Sequence, residues 1–128
     1  MEIPVAELDV EKERARRAAE GMRLYMVFME PREGAGDRSA IRGEHFAFVN
    51  ALEHSGRLVA GGPLVDEASG KVLGRGVFIL RGASLGEVEA IMREEPFHRN
   101  GFRDIVVHAW RLAEGELLSL LRDREPEA

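Results

Sequence analysis

The segment SLGEVEAIMREEPFHRNGFRDIVVHAWRL, residues 84–112, decides the fold, because it holds a helix and the strand after it with both boundaries marked. Ser84 and Glu87 form an S-x-x-E capping box, whose hydroxyl and carboxylate satisfy backbone N–H groups that a first helical turn leaves without partners. Leu85, Val88, Ile91 and Met92 then recur at helical spacing and supply a buried stripe. Pro96 lacks an amide hydrogen and its ring blocks the preceding turn, so it stops this helix, and a turn over Phe97–Gly101 follows. From about Phe102 to Leu112 the period changes to two. Ile105, Val107 and Ala109 share one face, and Val106, His108 and Trp110 the other.

Working toward the N-terminus, Lys71–Arg81 reads as a strand with its best part at Val77–Leu80, preceded by a polar hairpin loop at Asp66–Gly70. Arg57–Leu64 is the strand before it, and Gly61, Gly62 and Pro63 within it suggest a bulge or a sheet edge. Upstream, Ile41, His45, Phe48 and Leu52 recur at helical spacing with Val49 alongside; Asp37 or Ser39 is placed to cap this helix and Gly56 to end it. Met22–Met29 is a dense apolar run suited to a strand covered on both faces, closed by the loop Pro31–Gly36. The body is therefore β-α-β-β-α-β, an α+β ferredoxin-like pattern.

Two helices cover only one face of such a sheet, yet the first and last strands are apolar on both. A second copy packed sheet against sheet solves this, so a homodimer is expected, with a small-molecule cavity between sheet and helices. Outside the body, residues 5–20 have helix-forming composition with Glu13 and Arg17 one turn apart, and Leu117, Leu118, Leu120 and Leu121 form a short apolar helix after Gly115. The division expected is a helical extension over 1–21, the body over 22–112, and a short helix and tail over 113–128.

The 128 residues and their 45% apolar content fit one domain with its own core. Cysteine is absent, which excludes disulfides, thiolate metal sites and cysteine nucleophiles. The net charge of −5 lies wholly in the flanks: residues 21–112 hold as many acids as bases, with no basic stripe, so nucleic acid is not expected as a partner. Apolar runs are too short to cross a bilayer, and the acidic start lacks the features of a secretory signal, so the expectation is a cytoplasmic protein without membrane contact. Arginine outnumbers lysine heavily, which identifies no function.

The stretch from Gly43 through His45 and Gly56-Arg57-Leu58 to Gly62-Pro63, followed after the next helix by Glu95-Pro96-Phe97, resembles the YCII (YciI-like) family. The resemblance covers about residues 22–112 and implies a dimeric α+β barrel. It also implies a site built on the His of the first helix and the Asp of an Asp-Pro element. On this chain those positions are His45 and Glu95, and Glu in place of Asp lengthens the carboxylate's reach by a methylene.

Imidazole both takes and gives protons near neutrality, which makes His45 the candidate general acid or base and Glu95 the group that orients it. Each has an ordinary reading beside this one. His45 sits on an apolar stripe where a satisfied core histidine would also lie, and Glu95 with Arg93 and Glu94 has the look of a solvated helix end. Gly62 and Pro63 let a ligand approach the backbone, or simply form the bulge. Phe97 would line the cavity, and His108 would line the cavity or the dimer interface, or only pack. His98 and Arg99 are placed to reach an anionic substrate, or are exposed turn residues.

Gly34-Ala-Gly36 lacks the third glycine and the parallel repeat of a dinucleotide site, and no metal-binding spacing or G-x-S-x-G elbow occurs. Neither cofactor nor metal is expected. The reading is a small enzyme performing cofactor-free isomerisation or elimination next to a carbonyl or lactone. The alternative is a non-catalytic metabolite-binding or accessory protein of the same fold, and weaker still is a module that serves only assembly.

Overall fold

The computed structural model describes residues 4–124. Residues Leu24–Trp110 form one compact unit, and the described residues up to Arg23 together with those from Arg111 onward form another. In the larger unit and its margins the order is β1 (Met22–Pro31), α2 (Arg42–His54), β2 (Leu58–Val65), β3 (Val72–Leu80), α3 (Leu85–Arg93), the single-turn α4 (Pro96–Arg99) and β4 (Arg103–Leu112), with α1 (Val10–Glu20) before it and α5 (Glu116–Arg122) after. The four strands lie in the order β2-β3-β1-β4, with β3 antiparallel to both β1 and β2. This is the ferredoxin-like α+β arrangement expected from the alternation of periods.

Register follows from which side chains can be buried together. Tyr25 pairs with Leu80, Val27 with Phe78 and Met29 with Gly76, so alternate residues of β1 and β3 share one face. On that face Tyr25, Val27, Met29, Phe78 and Leu80 pack with Leu52 of α2 and Val88 and Met92 of α3, with Ile105 and Val107 of β4 against the cluster. Removing each such aliphatic or aromatic side chain from water contributes roughly 1.5–3 kcal/mol, which makes this layer the main source of stability. On the opposite face Leu24 is buried, but Phe28 and Val106 are exposed, and Phe28 meets His108 edge-on with ring centroids 5.8 Å apart.

Local chemistry explains the boundaries. Ser84 Oγ accepts from the Glu87 N–H at 3.1 Å, as the capping box requires, while the Glu87 carboxylate accepts from the N–H of Ala83 rather than that of Ser84 and also pairs with Arg57. Gly56 holds φ +78° just past α2, a conformation that would strain a residue with a Cβ. β2 is an edge strand with irregular register on both sides of its glycines, between Leu58 and Ala60 and between Pro63 and Val65, so the bulge and the edge expected there are both present.

Two expectations are corrected. Asp37 and Ser39 do not cap α2: Asp37 accepts from the Ser39 N–H and hydroxyl, shaping a 3-10 turn over Ser39–Ile41, and α2 starts behind Ile41 without a side-chain cap. The segment after Pro96 is not a plain turn. Proline ends the helix before it but fits the first position of the next, and here it opens α4 with Glu95 as the N-cap.

In the smaller unit, Asp9 caps α1 by accepting from the Lys12 N–H at 3.1 Å, and none of the residues of α1 is buried. Glu13 bonds Arg17, and Arg17 Nε also donates to Glu114 at 3.2 Å. α5 carries Leu117, Leu118, Leu120 and Leu121 as expected.

Candidate functional site

The site is assembled at the meeting of α2 and α4. His45 lies in the first turn of α2, on the side that turns toward the sheet, and Glu95 lies in the short link between α3 and α4. The carboxylate of Glu95 is fully buried, yet two donors hold it: His45 Nδ1 at 2.6 Å and the His98 N–H at 2.7 Å. The second bond is the N-cap of α4. Glu95 is therefore not a solvated helix end, and the extra methylene of Glu is taken up without loss of contact with His45.

Burial alone would raise the Glu95 pKa, but the hydrogen bonds from His45 and from the backbone N–H groups of His98 and Phe97 outweigh it and hold the carboxyl below its ordinary value. An ionised carboxylate only accepts, so Nδ1 of His45 donates to it, and in the neutral form of the ring Nε2 carries the lone pair. Phe97 stacks on the ring at 4.4 Å between centroids, and Phe46 lies tilted beside it at 5.4 Å.

His45 opens into a cavity of about 710 Å³ that has Phe97, Gly61, Gly62 and Pro63 in its wall. Gly62 has nothing within 4 Å of the place a Cβ would occupy, whereas at Gly61 a Cβ would fall 2.6 Å from the Phe78 ring. Thus Gly61 is required by packing, and Gly62 leaves open backbone facing the cavity.

Of the residues singled out from sequence, His45, Glu95, Gly62, Pro63 and Phe97 converge here. His108 does not. It stands exposed on the opposite face of the sheet, because its parity on β4 is that of Val106 rather than of Ile105 and Val107. His98 and Arg99 are also elsewhere: His98 Nδ1 bonds the carbonyl of Arg103 at 2.9 Å, and Arg99 pairs with Glu94 at the surface.

Sequence reasoning missed the arginines. Arg38, Arg42, Arg75 and Arg103 all line the cavity, and among the described residues Glu53 is the one carboxylate that lines it with them. Arg103 is only 7% exposed. The signal for it was present, since an arginine two and four residues before Ile105 and Val107 falls on the inward face of a strand. Among the described residues no group of three His, Asp or Glu side chains is placed to hold a metal, and no helix is long and apolar enough to cross a membrane.

Fold and site together define an α+β protein of ferredoxin-like topology, with a buried carboxylate aligning a histidine into a partly polar cavity. The YCII-related domain model matches residues 23–111, and the chain belongs to that family. No curated protein matches the chain. Among solved structures it is similar to 5-chloro-2-hydroxyhydroquinone dehydrochlorinase from Burkholderia phenoliruptrix AC1100 in complex with 2,5-dihydroxybenzoquinone. That similarity has a TM-score of 0.59 and 22% identity, and covers 68% of this chain and 92% of the other. At this identity the likeness is one of fold.

Proposed function

We propose that the protein is a small-molecule enzyme that moves a proton without a cofactor, with His45 as the base and Glu95 as the residue that positions it. The observation that carries this reading is the 2.6 Å contact between His45 Nδ1 and the buried Glu95 carboxylate, which makes Nε2 the basic atom of the neutral ring in a residue lining the cavity. In the step envisaged, Nε2 takes a proton from carbon beside a carbonyl or lactone, and the electron pair moves into the carbonyl to give an enolate. The imidazolium then returns the proton to another carbon, an isomerisation, or the enolate expels a leaving group with its bonding pair, an elimination. The buried carboxylate favours the imidazolium formed midway. The similar structure is named as a dehydrochlorinase, and loss of HCl is an elimination, which adds support to that branch.

Proton transfer can be tested without knowing the natural substrate. Exchange of α-hydrogens for deuterium in a panel of small ketones, quinols and lactones, followed by proton NMR in D2O, should be accelerated by the wild-type protein and lost in His45→Asn. If His45→Asn keeps the exchange rate, the assignment fails; if it instead lowers the melting temperature sharply, His45 is a packing residue. A wild-type protein that retains compounds but exchanges nothing would be a binding module.

The same reading includes a homodimer formed through the open sheet face. The exposed Phe28 and Val106, at 39% and 52%, support it, since apolar side chains clustered on one face are better covered than wetted. Sedimentation should give a dimer for the wild type and a monomer for Phe28→Asp combined with Val106→Glu. A monomeric wild type would end this part of the proposal.

A further inference from the structure

Arg103 is a buried cation that forms no ion pair with a carboxylate among the described residues. Its Nε makes no hydrogen bond among the described residues, and its Nη1 reaches only the Met29 sulfur at 3.6 Å, a weak acceptor. The negative charge of Glu95 acts on it, but the two oxygens of that carboxylate are already taken by His45 and the His98 N–H. The guanidinium is instead supported by the face of Phe97, 4.7 Å from the ring centroid, and Arg38 lies over the same ring at 4.8 Å. Arg38 donates to the Gly74 carbonyl at 3.3 Å and forms no ion pair among the described residues. Two like charges are thus gathered on one aromatic ring, and both line the cavity.

Such a pair is unfavourable in isolation. Each guanidinium loses hydration, and each repels the other, so the arrangement is built to be completed by something negative. Among the described residues the wall supplies little of it: of the charged groups there, Arg42 and Arg75 add positive charge, and Glu53 alone opposes them. The neutral total of the body conceals this local excess. The walls beside it are flat and aromatic, from Phe46, Phe78 and Phe97.

We infer that the cavity takes a small, flat carboxylate, whose two oxygens are held by the guanidinium groups of Arg103 and Arg38 while its body lies toward His45. A planar fork of N–H donors matches a carboxylate better than any neutral group, and the bonds formed are charge-assisted. This inference rests on the His45 cavity being the reactive site, and it narrows the substrate to acids. Arg103 and Arg38 bind and position; they are not assigned a proton-transfer step.

Binding separates this inference from the catalytic one. At pH 8, where an ordinary imidazole is neutral, benzoate and its neutral isostere benzamide are titrated into 15N-labelled protein and followed through the backbone amides of the cavity wall. The wild type should bind benzoate at least about tenfold more tightly than benzamide, as expected for charge-assisted bonds. Arg103→Gln should abolish that preference and Arg38→Gln should reduce it. Arg99→Gln, at the surface, should leave it unchanged.

His45→Asn should keep the preference, so loss of proton exchange with retained benzoate selectivity would leave the acid pocket standing. Equal binding of the two probes by the wild type, binding of neither, or a preference that survives Arg103→Gln would overturn the inference. Should Arg103→Gln fail to fold, Arg38→Gln decides alone: an unchanged preference in that variant refutes it.

Discussion

Replacing Glu95 by Gln changes almost no volume, yet it reverses the proton on His45. In the wild type both carboxylate oxygens accept, one from His45 Nδ1 and one from the His98 N–H. Glutamine has one accepting oxygen. The His98 N–H is a fixed backbone donor and claims it, which leaves the amide NH2 facing Nδ1. The imidazole relieves the clash by moving its proton to Nε2, so the nitrogen not held by residue 95 becomes a donor and loses its basicity.

Two hydrogen bonds to an ionised acceptor become two neutral ones, a difference of about 1 kcal/mol each, so Glu95→Gln should destabilise the protein by about 2 kcal/mol. For a chain of this size that is a fall in melting temperature of about 8 °C. Glu95→Ala removes the cap of α4 as well as the partner of His45, and should destabilise the protein more, by about 3–4 kcal/mol. Proton exchange catalysed by Glu95→Gln should fall by about 10² to 10⁴, the range for loss of a general base.

Long-range 15N–1H correlation spectra of the imidazoles at pH 8 read the tautomer directly. Nε2 of His45 should be unprotonated in the wild type and protonated in the variant. A wild type already protonated at Nε2, or a variant that keeps the wild-type tautomer, would refute the reasoning whatever the activity does.

Two further outcomes follow from the same structure. Because the folded-state pKa of Glu95 lies below its ordinary value near about 4.3, the folded protein releases this proton more readily than the unfolded chain. Its stabilising contribution is complete above about pH 5 and fades as pH drops through the folded pKa. The melting-temperature gap between wild type and Glu95→Gln should therefore narrow in acid; a constant gap from pH 7 to pH 3 would show that the carboxylate charge contributes nothing. Gly61→Ala puts a Cβ 2.6 Å from the ring of Phe78, so it should destabilise by about 1–3 kcal/mol in urea unfolding, whereas Gly62→Ala, with open space, should be near neutral.

The elements of the body were legible because their signals are local. Ser84 and Glu87 sit three residues apart and mark a helix start by themselves, and Ile105 and Val107 mark a strand by alternation. The cap at Glu95 was not legible as such. Whether Pro96 merely ends one helix or also opens another depends on what α4 packs against, and Phe97, buried at its second position, supplies that contact through His45 and Phe102. Which of its alternatives His108 takes was not legible for a related reason: alternation shows which residues share a face, but not which face the helices cover, and the structure puts His108 outside the cavity.

What the sequence alone determined is the order β-α-β-β-α-β and the presence of a histidine on the first helix of the body, since periodicity and capping act within a few residues of chain. The tertiary structure decided the site. It brought Glu95 from 50 residues away to within 2.6 Å of His45, and it set two arginines against Phe97. No local pattern encodes those distances, because they depend on how α2, α4 and β4 share one buried volume. Electrostatic energy changes steeply over a few ångströms in such a volume, so the chemistry of the cavity is a property of the packing.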